Sequence, residues 1–593
     1  MRLTVATWLM FAAAAFGQPP VHKLSAELQN IGSDQTVDVI VQYRHSPQME
    51  NHRRVVDAGG RFKRDLSIIR GAQYSVSASQ LEALANNPDV EFISLDQPVF
   101  ATDNGGAGSG DGSINPNAYK GSPDFGWRTV GADMASNVFG LKGNGIGIAV
   151  IDSGVQDHAD LSADQDHGGI VYRFSLVGGS DSDISDAYGH GTHVAGIISG
   201  DGFDSTGSQY TYTVRGIAPN ANIVSLQVLD RNGAGTDSNV IAAIQQAISL
   251  KNRYNIRVIN LSLGRPVTSS YTVDPLCLAV QQAWQAGIVV VVAAGNSGRD
   301  NSLGTNGYGT ITAPGNSPYA ITVGAMNTVG TLVSADDKIA SYSSKGPASI
   351  DHIVKPDLVA PGNRVLSLRD PNSTLDTTFP NNQVATSVYQ QGANQRAANY
   401  YMMSGTSMSA PMVSGSAALL IQQNPSLTPD QVKARLMKTA TKFAPGYSTA
   451  TDPVTGMTYT SEYDIFTVGA GYLNIPAALA SSDLLSGSAL SPTATFDVPS
   501  GTILMGPTGT AAVWGTAAVW GTPAVWGTAA VWGTNVFVNG TAAVWGTGAV
   551  WGTAAVWGTA TPQAFAAVWG TAAVWGTGQT SGEATTIAIN GDN

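Results

Sequence analysis

The sequence is short of cysteine, of charge and of long apolar runs. Cys277 is the one cysteine in 593 residues, so an internal disulfide framework is excluded. Lys and Arg number 30 against 42 Asp and Glu, only 12% of residues are charged, and the formal net charge is -12. No basic surface is therefore available to hold nucleic acid. Beyond the N-terminal segment no stretch is long and apolar enough to span a bilayer, which takes ~20 residues. The length itself exceeds the roughly 100 to 250 residues of one ordinary domain, so several units are expected.

What is present begins with MRLTVATWLMFAAAAFGQPP. Arg2 is followed by an apolar run from Leu3 to Phe16, with small residues Ala15 and Gly17 before Gln18. That order predicts a signal peptide over residues 1–17, hence a secreted, extracellular protein with no membrane span once it is removed. From Thr36 to Ala101, TVDVIVQY and AQYSVSA alternate as strands, and SASQLEALANNPDV reads as a helix opened by a capping box of Ser79 and Glu82. EFISL closes this small α+β unit, which occupies residues 18–101. ATDNGGAGSGDGSINPN has few groups able to pack, so residues 102–117 read as an exposed linker that a protease can cut.

Over residues 118–482, apolar runs such as GIGIAVID, NIVSLQVL, VINLSL and IVVVVAAG alternate with helix-like stretches such as NVIAAIQQAISLKNRY. Continuously apolar strands belong to a mostly parallel sheet covered by helices on both faces, so this region is a doubly wound α/β domain. Cys277, inside the helix-like VDPLCLAVQQAWQAG, reads as a buried core thiol. Residues 483–510 form a connector. Residues 511–593 then repeat the hexad AAVWGT with small variations, and nine of the chain's 12 tryptophans fall there. An even period keeps successive tryptophans on one face of an extended chain, and Asn539-Gly540 is a hairpin signal. A β-rich repeat and a disordered low-complexity tail both remain open, as does binding of the repeats to a surface or polymer.

A serine hydroxyl becomes a useful nucleophile when an imidazole takes its proton and a carboxylate fixes the imidazole's tautomer. Three segments supply these groups: GIGIAVIDSGV with Asp152 at the end of an apolar strand, GHGTHVAG with His190, and SGTSMSAPMVSGSAALLIQ with Ser407 opening a helix. Each alone is weak, since such residues also end strands, fill turns and sit in loops. AAGNSG adds Asn296 after the strand IVVVVAAG. The nucleophile lies in Gly-Thr-Ser-Met rather than in the Gly-x-Ser-x-Gly elbow of many esterases.

Taken together, in the order Asp, His, Ser, these motifs resemble the subtilisin-like serine proteases (subtilases) over residues 36–482. The resemblance implies that Asp152 orients His190, that His190 is general base and then acid, and that Ser407 attacks the scissile carbonyl. It gives Asn296 and the Ser407 N–H to the oxyanion hole and makes His193 a second, noncatalytic histidine. Substrate would pair as a strand between Ser262-Leu263-Gly264 and Gly233-Ala234-Gly235, beside a primary pocket walled by Ser262 to Gly264 and Ala293 to Gly295. Those walls hold no carboxylate, so large apolar residues are expected before the cut bond of protein or peptide substrates, with broad specificity otherwise. Residues 18–101 resemble the family's inhibitor propeptide, which implies a self-processed precursor. No cofactor is needed for the chemistry. Structural calcium stays open: Asp160 in HADL matches a frequent ligand position, but one carboxylate does not make a site for an ion that takes six to eight oxygens. VGAGYLNIPAAL resembles the family's closing segment. The long polar stretch from Arg369 to Tyr400 exceeds the connection of compact relatives; it either shapes the substrate cleft or decorates the surface, and surface decoration is the reading preferred.

Overall fold

The computed structural model describes residues 23–101, 126–163, 168–177, 184–302, 304–393, 397–443, 446–452, 455–497, 502–506, 536–537 and 592. The expected signal peptide, the glycine-rich linker and the hexad repeats, apart from Val536–Phe537 and Asp592, lie outside them.

The N-terminal unit is built from β1 (Thr36–Tyr43), α1 (Met49–Asp57), β2 (Arg61–Leu66), β3 (Gly71–Ser77), α2 (Leu81–Ala85) and β4 (Val90–Leu95). They form an antiparallel sheet in the order β2-β3-β1-β4. Strand alternation sorts its side chains between two cores. Val39 and Val41 join Tyr74, Val76, Leu81 and Ile93 in the unit's own core, while Ile40, Leu66 and Ile69 pack into the core of the next domain. Each such buried aliphatic side chain contributes about 1.5–3 kcal/mol. The sequence showed no period for α1 and β2 because RFKRDL buries only Leu66. The Ser79–Glu82 capping box does not form. A 3-10 turn, Ala78–Gln80, leads into α2, and the Ser79 hydroxyl bonds that of Ser77 instead. β5 (Pro98–Ala101) leaves this unit and lies across the next domain.

That domain opens with two short helices, α3 (Gly126–Thr129) and α4 (Ala132–Asn137), followed by β6 (Gly147–Asp152), β7 (Ile170–Ser175), α5 (His190–Ser199), β8 (Asn222–Gln227) and β9 (Ala234–Thr236). Then come α6 (Asp237–Tyr254), β10 (Ile256–Leu261), β11 (Leu263–Gly264), α7 (Pro275–Gln285), β12 (Val289–Ala293), β13 (Ile321–Asn327), β14 (Lys338–Ile339) and β15 (Leu358–Pro361). The main sheet runs β14-β13-β12-β10-β6-β8-β7, with β15 also paired to β13. Every pairing is parallel except β13 with β14. GIAVID and VVVVA are buried throughout because helices cover both faces. Two pairs do the covering: α6 with α7, and α5 with α9 (Thr406–Gln423). The doubly wound α/β core matches the sequence reading. Cys277 is buried, and its thiol donates to Asn316 Oδ1 at 3.2 Å.

Two expectations need correction. The stretch 369–400 is no surface decoration: β16 (Val365–Leu368), α8 (Thr374–Thr378), β17 (Gln383–Ala385) and β18 (Ala397–Met403) make a small sheet with buried Leu375, Tyr389 and Tyr400. Its polar residues sit in turns and at helix ends, which is why it read as exposed. The connector 483–510 likewise contains β21 (Thr493–Asp497), bridged to Ile353 and burying Ala494, and β22 (Thr502–Gly506) paired to it.

Candidate active site

The four motif residues converge because two of them end or follow parallel strands at one sheet edge, where sites of open α/β sheets assemble, and the other two open helices. Asp152 is the last residue of central strand β6, Asn296 follows β12, and Ser262 follows the neighbouring β10. His190 and Ser407 open α5 and α9, which pack against each other. Asp152 Oδ1 lies 2.7 Å from His190 Nδ1, with both side chains fully buried.

Sequence reasoning missed the residue that holds this pair in place. Asp186 is buried and accepts four hydrogen bonds of 2.7 Å, from the Ser153 hydroxyl, the Gly189 and Thr192 amides and the Thr192 hydroxyl. Burial pushes its pKa up from the usual carboxylate value, and the four donors offset part of that push. The two amides belong to the start of α5, so Asp186 caps the helix that carries His190. Ser153 in turn bonds Asp152 Oδ1 at 3.2 Å and the Gly191 amide at 3.0 Å, tying strand end to helix start. An aspartate just ahead of GHGTH was the available signal.

The misjudged segment 369–400 buttresses the same loop. Thr374 and Leu375 amides donate to the Ala187 and Tyr188 carbonyls, at 3.0 and 3.1 Å. Gly189 has φ +98°, and a Cβ there would stand 2.4 Å from the Ser373 hydroxyl oxygen. Behind His190, His193 Nε2 faces the Val365 and Tyr401 carbonyls at 3.2 and 3.1 Å. Burial, with His190 nearby, pushes His193 down to about 3, so it is neutral and donates.

Ser407 donates its hydroxyl to the Ser262 carbonyl at 3.1 Å, and Ser262 Oγ donates back to the Ser407 carbonyl at 2.9 Å. Asn296 Oδ1 accepts from the Thr406 amide (2.9 Å) and hydroxyl (3.0 Å), which fixes the other end of its amide. That Nδ2 sits 3.0 Å from where a Cβ of Gly405 would be. Gly405, at φ 152° and ψ 163°, is in a region open essentially to glycine alone. The Asn296 side chain is thus held against the start of α9, where the partial positive charge of a helix N-terminus suits negative charge.

The cleft segments are filled. β5 lies antiparallel between β11 and β9, with Ala101 opposite Leu263, Phe100 opposite Gly264 and Ala234, and Val99 opposite Gly235. The Ala101 amide donates to the Gly233 carbonyl at 2.9 Å. Val99 and Ala101 are fully buried. Ala293 and Gly295 lie alongside at the end of β12.

Asp160 is joined by His158 and Asp204, with potential ligand atoms within 4.8 Å of one another. They do not fit a calcium ion. Asp160 Oδ1 accepts the Asp204 amide and Oδ2 accepts the Tyr400 hydroxyl, both at 2.9 Å. His158 Nδ1 accepts the Asp160 amide, and an imidazole nitrogen is a poor partner for a hard cation. Burial first, then neighbouring Asp204 and Asp201, raises the Asp160 pKa to about 7.

A family model described as the subtilase family matches residues 143–458. Serine protease AprX of Bacillus subtilis is 40% identical over 51% of this chain, which spans 62% of AprX. Subtilisin DY of Bacillus licheniformis is 33% identical over 57% of this chain and 92% of its own. The crystal structure of fervidolysin from Fervidobacterium pennivorans, a keratinolytic enzyme related to subtilisin, superposes with a TM-score of 0.53 at 22% identity, covering 76% of this chain and 62% of its own. Motif geometry, family match and shared fold agree: the chain belongs to the subtilase family of serine endopeptidases.

Proposed function

We propose that the chain is a secreted endopeptidase, made as a precursor in which residues 18–101 fill the cleft until Ser407 cuts them away. The observation that carries this is β5, a strand of the N-terminal unit paired on both sides within the cleft. Ser407 attacks the carbonyl, His190 Nε2 takes its proton, and Asp152 holds Nδ1–H and steadies the imidazolium. Asn296 Nδ2 and the Ser407 N–H bind the oxyanion. His190 then protonates the leaving amine, and water hydrolyses the acyl-enzyme by the same proton path reversed. Since β9 and β11 read backbone, specificity is broad, and the walls at 262–264 and 293–295 favour large apolar residues before the cut.

The register supports one maturation bond. The ladder reaches the pair of Ala101 with Leu263, one residue before Ser262, the partner of the Ser407 hydroxyl. The first cut is therefore expected between Thr102 and Asp103, the first bond of the linker after β5. N-terminal sequencing of the secreted wild-type protein should begin at Asp103 or further on, while Ser407→Ala keeps residues 18–102. A Ser407→Ala protein already cut in the linker would defeat self-processing without touching the family assignment.

A further inference from the structure

Asp592, far beyond the catalytic domain in sequence, is 1% exposed and lies inside it. Its Oδ1 accepts from Arg299 Nη2 at 2.8 Å and from the Ser341 hydroxyl at 2.6 Å, and its Oδ2 accepts from the Ser341 amide at 2.6 Å. Its main chain is read as well: the amide donates to Asn363 Oδ1 at 2.7 Å, and its carbonyl accepts from Asn363 Nδ2 at 3.0 Å. A side-chain amide thus pairs with a peptide unit as a neighbouring strand would.

The receptor side chains are held by further contacts of their own. Arg299 is fixed by Nε donating to the Ser341 hydroxyl at 2.8 Å and by an ion pair with Asp452 at 3.4 Å. Its guanidinium lies over the Tyr459 and Tyr342 rings, 5.2 and 6.0 Å from their centroids. Tyr342 donates to the Gly362 carbonyl at 3.0 Å, next to Asn363. Charge-assisted bonds in such a buried, preorganised setting are the strong ones. The other end of the tail also starts on the domain. β21 is held through the Val354 amide to the Pro492 carbonyl and the Ala494 amide to the His352 carbonyl, both 2.8 Å.

We propose that Arg299, Ser341 and Asn363 form a carboxylate receptor whose ligand is Asp592 of the same chain, so that the tryptophan-repeat segment is fastened to the catalytic domain at both ends. A single cut within the repeats then leaves both pieces attached.

The test uses the full chain carrying Ser407→Ala, which prevents self-digestion. Amide hydrogen exchange at Ser341 should accelerate at least ~10-fold in Asp592→Asn, while Val291 in β12 and a Glu583→Gln control stay as in the parent. Adding a synthetic TIAINGDN peptide to the Asp592→Asn chain should restore Ser341 protection, and the same peptide with Asn in place of its Asp should not. Unchanged Ser341 exchange in Asp592→Asn overturns the receptor. Protection in the parent that falls on tenfold dilution overturns the same-chain ligand and assigns it to a second copy.

Discussion

Replacing Asp186 by Asn tests whether the cap, rather than the triad alone, sets the geometry of His190. The carboxylate takes two donors on each oxygen: Ser153 Oγ and the Gly189 amide on one, the Thr192 amide and hydroxyl on the other. Asparagine offers one accepting oxygen. Whichever way it turns, its NH2 faces a main-chain N–H that cannot rotate away, and two buried donors lose their acceptor. At about 1–3 kcal/mol per unsatisfied buried donor, the penalty is roughly 2–6 kcal/mol. Thermal unfolding on the Ser407→Ala background should fall by about 5–15 °C. In matured enzyme the start of α5 shifts, and misplacement on the order of 1 Å costs ~100-fold in rate. A kcat for peptide anilides lowered by about that factor is expected, with KM changed by no more than a few-fold because Asp186 takes these donors from Ser153, Gly189 and Thr192 and not from β9 or β11. Unaltered kcat together with an unaltered melting temperature would refute the reasoning. A fall in stability alone would confine Asp186 to folding.

Lys345 is buried, bonds the Asn306 carbonyl at 2.9 Å, and is pushed down to about 8 by that burial, against the pull of Asp464 and Glu462. Between about pH 8 and the ordinary lysine value near 10.4 the unfolded chain holds the proton that the folded chain has lost, so this group makes stability rise with pH by up to about 3 kcal/mol. Lys345→Met should flatten that rise in melting curves taken from pH 7.5 to 10.5, and a parallel shift at every pH would contradict it. Asp160→Asn should leave any effect of calcium on melting temperature as it is in the parent, since both oxygens already have donors; a calcium effect that disappears in the variant would restore a calcium site there. Asp96 of the N-terminal unit accepts from the Ser238 amide and hydroxyl, both at 2.8 Å, at the start of α6. Asp96→Asn in an isolated 18–102 polypeptide should weaken inhibition of matured enzyme about 10-fold, the loss of one charge-assisted interaction of roughly 1.4 kcal/mol, and an unchanged inhibition constant would count against the cleft-filling role.

The chemistry was legible because each reactive residue sits at a boundary that the sequence marks: Asp152 ends an apolar strand, and His190 and Ser407 stand at glycine-led helix starts. Asp186 was marked only by its place ahead of GHGTH, because its role depends on donors from Ser153 and Thr192 that only the folded loop brings together. The segment carrying Leu375 and Tyr400 was misread for a similar reason: it buries a few large side chains between polar turns, so no period of 2 or 3.6 emerges. The same holds for β2, whose RFKRDL keeps one buried residue. Glu82 has no capping partner in Ser79, whose hydroxyl bonds that of Ser77 instead. Asp592 had no signal at all, being one of two acidic residues after a long apolar repeat.

Under the proposed maturation, loss of β5 leaves β9 and β11 facing each other as the two banks of a gap one strand wide. Whatever fills it must arrive extended, with its amides and carbonyls released from any partners of its own. A folded protein offers such a stretch only during local opening, so the enzyme's choice among folded targets is set by the opening free energy of the target as much as by its sequence. Two substrates with the same residues around the cut, one in a loop and one in a core strand, should differ in cleavage rate by the ratio of their opening equilibria.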